Sequence, residues 1–139
     1  MKYKFLPHTA DAKFRAYGKN LEDAFKNSAY AMTDIIVDVK KVRPKIRQKI
    51  SIKSEDEKAL LYDFLEKFLF LLDTKGFLLA KIRKLKIKKE KKGFSLNALL
   101  SGDNYKGYDT KTTIKAVTYQ EMEIMQKKGK VTLQVVVDI

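Results

Sequence analysis

The chain of 139 residues has no cysteine, no tryptophan, one histidine and two prolines. Without cysteine it can form no disulfide, no thiolate metal site and no cysteine nucleophile. The single histidine, His8, excludes a metal site built from several imidazoles. No run of about 18 apolar residues suggests a membrane-spanning helix. The start, Met-Lys-Tyr-Lys, lacks the apolar region of a signal peptide, so we expect a cytoplasmic protein.

Familiar catalytic motifs are missing as well. The sequence has no P-loop, no Gly-x-Gly-x-x-Gly after a strand, no His-Glu-x-x-His and no serine nucleophile elbow. Any catalysis would have to rest on carboxylates, lysine or tyrosine. These absences favour a protein that is not itself an enzyme.

Positive charge, in contrast, is abundant. Thirty Lys and Arg residues against 17 Asp and Glu residues give a formal net charge of +13. Such an excess attracts polyanionic partners, but widely spread lysines are also typical of a solvated, lysine-rich surface. Because 45% of the residues are apolar, a chain of this length can bury a core, and we expect a single domain over residues 1–139.

Hydrophobic periodicity predicts two main helices, at about Leu21–Ile35 and Glu55–Thr74. Asn20 is a suitable N-cap for the first helix. The acidic run Ser54–Glu57 resembles a capping box for the second helix. Gly76 is suited to the position just past its end.

The sequence pattern predicts a short strand of mixed character at Tyr3–Leu6. Further strands are predicted at Asp11–Tyr17, Val42–Lys53, Phe77–Lys88, Phe94–Leu100, Met122–Gln126 and Val131–Ile139, several of them from alternating apolar and polar residues. The alternation slips near Arg83, which indicates a β-bulge. Ser101–Lys111 is typical of a loop, and Thr112–Tyr119 fits either a strand or a helical turn. The order of elements predicts an α+β fold with a mixed or antiparallel sheet and a strand-helix-strand-strand arrangement.

The two ends of the chain carry the most distinctive acidic residues. Asp11 closes the stretch His8-Thr9-Ala10-Asp11, which is explained locally by a polar corner that binds backbone N–H groups. Near the other end, the inward valines of the last strand direct Asp138 to the opposite face. If the two strands are neighbours, Asp11, Asp138 and the Ile139 carboxylate meet and require a hard cation. Oxygen donors favour Ca²⁺, with Mg²⁺ or Mn²⁺ as alternatives.

Basic residues occupy one face of the third predicted strand: Arg43, Lys45, Arg47, Lys49 and Lys53. A further lysine-rich segment, Lys86–Lys92, is predicted at the tip of a hairpin. Solvation explains such a face, and an anion-binding stripe is the alternative.

Several motifs together resemble the archease family. They are His8-Thr9-Ala10-Asp11, Ala16-Tyr17-Gly18, Leu21-Glu22-Asp23-Ala24-Phe25, Ala29 to Met32, Ser54-Glu55-Asp56 with Leu60-Leu61, Ile114-Lys115-Ala116-Val117-Thr118-Tyr119, and Val136-Val137-Asp138-Ile139. The resemblance covers essentially the whole chain. The Lys-Ala-Val-Thr-Tyr run and the terminal Asp-Ile are its most specific parts. Two departures are Gln120, where the family usually has histidine, and Asp103 after Gly102, where it usually has glutamate.

The resemblance implies a strand-helix-strand-strand domain with an insertion. It implies a protein cofactor of the GTP-dependent, RtcB-type RNA ligase that joins tRNA exons, promoting guanylylation of the ligase and repeated turnover. It also implies a metal site at Asp11 and Asp138 with the Ile139 carboxylate, and a functional lysine at Lys115. His8 would support this site, unless it is a structural histidine.

Two other classes of function fit the residues. One is a basic RNA-binding module without a ligase partner, which would show steeply salt-dependent RNA binding on its own. The other is a metal-dependent hydrolase using the same carboxylates, disfavoured because the sequence lacks a second ligand cluster and an evident general base.

Overall fold

The computed structural model describes residues 1–7 and 11–139. Its strands and α-helices are β1 (Tyr3–Leu6), β2 (Ala12–Gly18), α1 (Leu21–Ile36), β3 (Ile46–Ser54), α2 (Glu57–Lys75), β4 (Phe77–Lys89), β5 (Phe94–Asn104), β6 (Ala116–Val117), β7 (Glu123–Lys127) and β8 (Lys130–Asp138). Two short 3₁₀ turns, Val39–Lys41 and Tyr105–Gly107, precede β3 and follow β5.

The strands form two antiparallel sheets. Sheet A has five strands in the order β1-β2-β8-β6, with β7 also paired to β8. Sheet B has three strands in the order β3-β5-β4. The predicted α+β class with two main helices is therefore confirmed, and β8 is central in sheet A.

The first helix begins as the sequence predicts. The Asn20 side chain accepts a hydrogen bond from the backbone N–H of Asp23 at 2.8 Å, which satisfies one of the free donors at the helix start. The Asp23 carboxylate in turn accepts from the backbone N–H of Lys19. The helix then runs one residue further than predicted, to Ile36.

The second helix begins later than predicted. Its N-cap is Asp56, whose carboxylate accepts from the backbone N–H of Ala59 at 2.8 Å. Ser54 instead ends β3, and its hydroxyl donates to the Asp63 carboxylate at 2.6 Å. The end of the helix matches the prediction, because Gly76 adopts the left-handed conformation with φ of 66°.

The third predicted strand is four residues too long at its start. Val42 is 6% exposed because it packs into the core beside a 3₁₀ turn, so its burial reflects packing outside any strand. Pro44 stands just before β3, which forms an edge of sheet B. The predicted loop Ser101–Lys111 is also corrected, since β5 continues to Asn104.

The fourth strand contains the predicted bulge. Its pairing with β5 shifts register between Leu79 and Lys81 and again between Ile82 and Lys84. The free edge of β4 is covered by α1. The Glu22 carboxylate accepts from the backbone N–H of Ile87, and the Tyr30 hydroxyl accepts from that of Ile82, each at 2.9 Å.

Both helices contact strands of both sheets, and one apolar cluster lies among them. Its fully buried members include Phe14, Phe25, Phe64, Leu65, Leu100 and Leu133. Within the described residues, no helix combines the length and apolar character that a membrane crossing requires.

Candidate functional site

The two acidic residues predicted as ligands lie at the same end of sheet A. Strands β2 and β8 are antiparallel, and Ala12 pairs with Val137. Asp11 directly precedes Ala12, and Asp138 directly follows Val137. Asp11 is half-buried and Asp138 is exposed. Chain segments more than a hundred residues apart in sequence are thus joined at this end of the sheet.

Strand β6 adds the lysine to this end. Ala116 pairs with Asp138, and the backbone N–H of Lys115 donates to the Asp138 carbonyl oxygen at 2.7 Å. The Lys115 side chain is exposed. The structure therefore brings Asp11, Asp138 and Lys115 together at the end of three neighbouring strands.

Helix α2 holds the short strand β6 in place. The Glu66 carboxylate accepts from the backbone N–H of Val117 at 3.0 Å, on the side of β6 away from β8. Further along, the rings of Tyr62 and Tyr119 stack with centroids 4.4 Å apart. Burial, followed by the nearby Asp63 carboxylate, raises the pKa of Tyr119. These contacts fix the position from which Lys115 projects.

A polar network lies beside this end on the solvent side of sheet A. The Lys13 amine pairs with the Glu121 carboxylate at 2.9 Å. The Gln134 side chain links the strand to the same loop, because it accepts from Arg15 at 2.9 Å and donates to the Glu121 carbonyl oxygen. Glu121 adopts φ of 53°, a conformation uncommon outside glycine. The loop after β6 is thus tied to the acidic end of the sheet.

The predicted donor set would suit a hard cation. Asp11, Asp138 and the Ile139 carboxylate offer oxygen atoms only, which suit Ca²⁺ or Mg²⁺ completed by water. Over residues 1–7 and 11–139, no cluster of three His, Cys, Asp or Glu side chains could hold a metal. The predicted site therefore depends on two side chains and the carboxylate of Ile139, which is 37% exposed. His8, the predicted supporting residue, lies outside the described residues.

Asp103, one of the departures from the family pattern, lies away from this end. Its carboxylate accepts a hydrogen bond from the Tyr108 hydroxyl at 2.6 Å, and the same hydroxyl accepts from the backbone N–H of Arg43 at 2.9 Å. The bond from Tyr108, followed by one from the backbone N–H of Asn104, lowers the pKa of Asp103. Asp103 therefore fastens the loop after β5 to the segment before β3.

The hydrogen bond from Tyr108 leads to a prediction about the pKa of Asp103. Replacing Tyr108 with phenylalanine should raise the Asp103 pKa toward its ordinary value, as followed by carboxyl NMR. A carboxylate whose pKa is lowered in the folded state stabilises the fold above its unfolded pKa, and that contribution disappears as the pH falls through the folded value. Tyr105→Phe, a half-exposed neighbour, is the control. An unchanged Asp103 pKa would mean that Asn104, Lys45 and Arg43 set it instead.

Several residues of this region could not be recognised from local sequence patterns. Their contacts join segments that are distant in the sequence, as for Glu66, Glu121 and Tyr62. Neither helical spacing nor strand alternation distinguishes these residues from other surface residues. The Lys-Ala-Val-Thr-Tyr run did mark both Lys115 and Tyr119, but without their partners.

Nearly the whole chain, from β1 to the end of β8, matches one protein family. The model of the Archease protein family (MTH1598/TM1083) matches residues 3–139. The chain is 39% identical over 140 residues to protein archease of Methanosarcina mazei, covering 99% of this chain and 96% of that one. It is 37% identical over 138 residues to protein archease of Methanothermobacter thermautotrophicus, covering 99% and 98%. The chain belongs to the archease family.

Solved structures agree with this assignment. The solution structure of Methanobacterium thermoautotrophicum protein 1598 has a TM-score of 0.84 with 34% identity and covers 99% of each chain. The crystal structure of an archease, possible chaperone, from Thermotoga maritima has a TM-score of 0.62 with 19% identity and covers 98% and 96%. The second likeness concerns the fold alone.

Proposed function

We propose that this chain is a protein cofactor of a GTP-dependent, RtcB-type RNA ligase that joins tRNA exons in the cytoplasm. It would promote guanylylation of the ligase and repeated turnover, and would meet tRNA through the ligase. The observation that carries the proposal is the convergence of Asp11, Asp138 and Lys115 at one end of sheet A, in a chain of the archease family.

The proposed working part is an exposed acidic end stiffened by sheet pairing. Asp11 is next to Ala12 and Asp138 is next to Val137, and these two neighbours pair across β2 and β8. The backbone positions of both acidic residues are therefore fixed before any ligand binds. Fixed donors reduce the entropy lost on binding. With the Ile139 carboxylate they would hold one divalent cation, Ca²⁺ first. That cation would supply positive charge near the metal and nucleotide of the ligase.

Lys115 has a separate proposed role. Its exposed amine lies beside the acidic end, where an ammonium group can contact a phosphate or a carboxylate of the partner. The backbone pairing to Asp138 and the support of β6 by Glu66 keep it there. The chain would position groups for the ligase, whose own residues perform the phosphoryl transfer.

The proposal predicts a rate effect that requires both proteins. The chain alone should neither bind GTP nor join RNA ends. Added in stoichiometric amount to its ligase, it should convert a single round of joining into many, measured as product formed per ligase. Guanylylation followed without RNA should also become faster.

One control and two contrary outcomes make this test decisive. Heat-denatured chain should have no effect, which excludes a carried-over cofactor. If the folded chain leaves both guanylylation and turnover unchanged, the proposed function is wrong. Phosphoester hydrolysis by the isolated chain would instead favour the metal-dependent hydrolase.

A further inference from the structure

The outer face of sheet B is open and strongly basic. The inner face is covered, since Ile50, Leu96 and Leu100 are buried. The side chains that alternate away from the core include eight exposed cations: Arg47, Lys49 and Lys53 on β3, and Lys81, Arg83, Lys84, Lys86 and Lys88 on β4. We call this surface the basic face.

Strand register arranges these cations in two rows. Leu99 of the central strand β5 pairs with Lys49 on one side and Lys84 on the other. Ser95 is flanked by Lys53 and Lys88 in the same way. Because neighbouring strands lie about 4.8 Å apart, the two rows are separated by roughly 10 Å. Arg47 and Lys49 are roughly 7 Å apart along β3, and Ser51 separates Lys49 from Lys53.

The floor between the rows is nearly neutral. It consists of the outward residues of β5: Ser95, Asn97, Leu99 and Ser101. The Arg83 guanidinium, displaced by the bulge, donates to the Ser101 hydroxyl at 2.9 Å. A groove of about 550 Å³ runs over the middle of this floor, at Asn97 and Leu99, and is also lined by Lys26 of α1. The sheet thus forms a shallow channel with cations on both sides.

Within β3, β4 and β5 no carboxylate lies in the middle of the channel, and the Glu22 carboxylate of α1 reaches the outer edge of β4 at Ile87. Within the three described strands the sole acidic residue is Asp103, at the end of β5, where Tyr108 and Asn104 hold it. Glu90 lies in the turn at the other end and accepts from the Ser95 hydroxyl. No carboxylate of these three strands therefore offsets the cations in the middle of the face.

We propose that the basic face binds the sugar–phosphate backbone of a single RNA strand, without regard to base sequence. Two rows of Lys and Arg beside a neutral floor, with Asn97 exposed between them, match the groups that contact phosphate in nucleic-acid complexes. The described strands place no aromatic side chain outward on this face, so base stacking plays no part. An acidic protein fits less well, since protein interfaces rely on buried aromatic or apolar anchors.

The position of the face separates this role from the acidic end. The basic face belongs to sheet B, whereas Asp11, Asp138 and Lys115 lie on sheet A. RNA binding here does not depend on the existence of a ligase partner. Where the partner is present, the face would hold the RNA substrate near the ligase.

A matched pair of double variants tests the proposal. Lys49→Gln with Lys84→Gln neutralises one cation in each row, across Leu99. Lys127→Gln with Lys128→Gln removes the same charge from the turn between β7 and β8. Fluorescence anisotropy with labelled oligouridine and oligocytidine is measured over a range of salt concentrations. All four lysines are exposed, so thermal melts should be unchanged.

The Lys49→Gln/Lys84→Gln variant, called the basic-face pair, should bind RNA more weakly than the unmodified chain. The Lys127→Gln/Lys128→Gln variant should bind RNA as the unmodified chain does. The slope of log affinity against log salt should fall by about 1.4 for two lost phosphate contacts on a single strand. Both oligonucleotides should bind the unmodified chain equally. Equal losses in the two double variants, or no salt-dependent binding by the unmodified chain, would overturn the proposal. Normal RNA binding with weakened ligase association would assign the face to an acidic protein instead.

RNA-free guanylylation of the ligase separates this proposal from the proposed function. The basic-face pair should stimulate guanylylation as the unmodified chain does, because no RNA takes part in that step. If the unmodified chain binds RNA through this face but never stimulates the ligase, the proposed function fails and the RNA site stands.

Discussion

Replacing Asp138 with asparagine should abolish both cation-dependent stabilisation of this protein and activation of the ligase. The substitution keeps the size of the side chain and the backbone pairing of Asp138 with Ala116 and Lys115. It removes one of only two side-chain carboxylates proposed to hold the ion. With a donor set this small, loss of one charge leaves too little attraction to displace the water around a hard cation.

Thermal melts with and without Ca²⁺, Mg²⁺ or Mn²⁺ measure the effect. Ligand at about 100 times its dissociation constant should stabilise the unmodified protein by roughly 2.7 kcal/mol and the variant by nothing. Asp11→Asn should behave like Asp138→Asn, and the exposed Asp109→Asn should behave like the unmodified chain. A melt that shifts equally in all four proteins would place the ion elsewhere.

Truncating Phe64 to alanine should cause the largest loss of stability of any single side chain considered above. Phe64 is fully buried in α2. Its ring contacts Phe25 of α1, with centroids 5.5 Å apart, and Phe68, with centroids 5.0 Å apart. The substitution removes the ring contact between Phe64 and Phe25 and leaves a cavity in the core between the two helices and the two sheets. The expected cost is about 3–5 kcal/mol in the free energy of unfolding.

The same helix offers a matched control. Phe70 lies six residues further along α2 and is 55% exposed. Phe70→Ala removes the same atoms from a surface position, so it should change stability by no more than about 0.5 kcal/mol. Urea unfolding of both variants gives the comparison. Similar losses for Phe64→Ala and Phe70→Ala would show that the ring pair is not the centre of the core.

Local patterns predicted most of the elements. Periodicity placed both helices because their apolar faces are wide, and alternation predicted β2 and β8 and the bulge of β4. The errors lie where tertiary packing overrides a local rule. Val42 is buried outside any strand, and Ser54, predicted as the first residue of a capping box, ends β3, so Asp56 is the N-cap of α2.

The sequence predicted which residues belong to the candidate site but not how they are arranged in space. Inward valines gave the direction of Asp138, and the family resemblance drew attention to Lys115. Their meeting with Asp11 depends on strand register between distant segments, which no local pattern encodes. The basic face illustrates the same limit, because alternation indicated the β3 row, whereas its pairing across β5 with the β4 row required the sheet order.

The pairing of β2 with β8 also governs when the acidic end can form during synthesis. Strands β3, β4 and β5 with α2 are contiguous in the chain, so sheet B can assemble while later residues are still being translated. Strand β2 must wait for its partner until almost the whole chain has emerged from the ribosome. Closing so long a loop is entropically costly and slow. Until then β2 keeps one edge open, and no nascent chain shorter than 138 residues can possess the Asp11–Asp138 end.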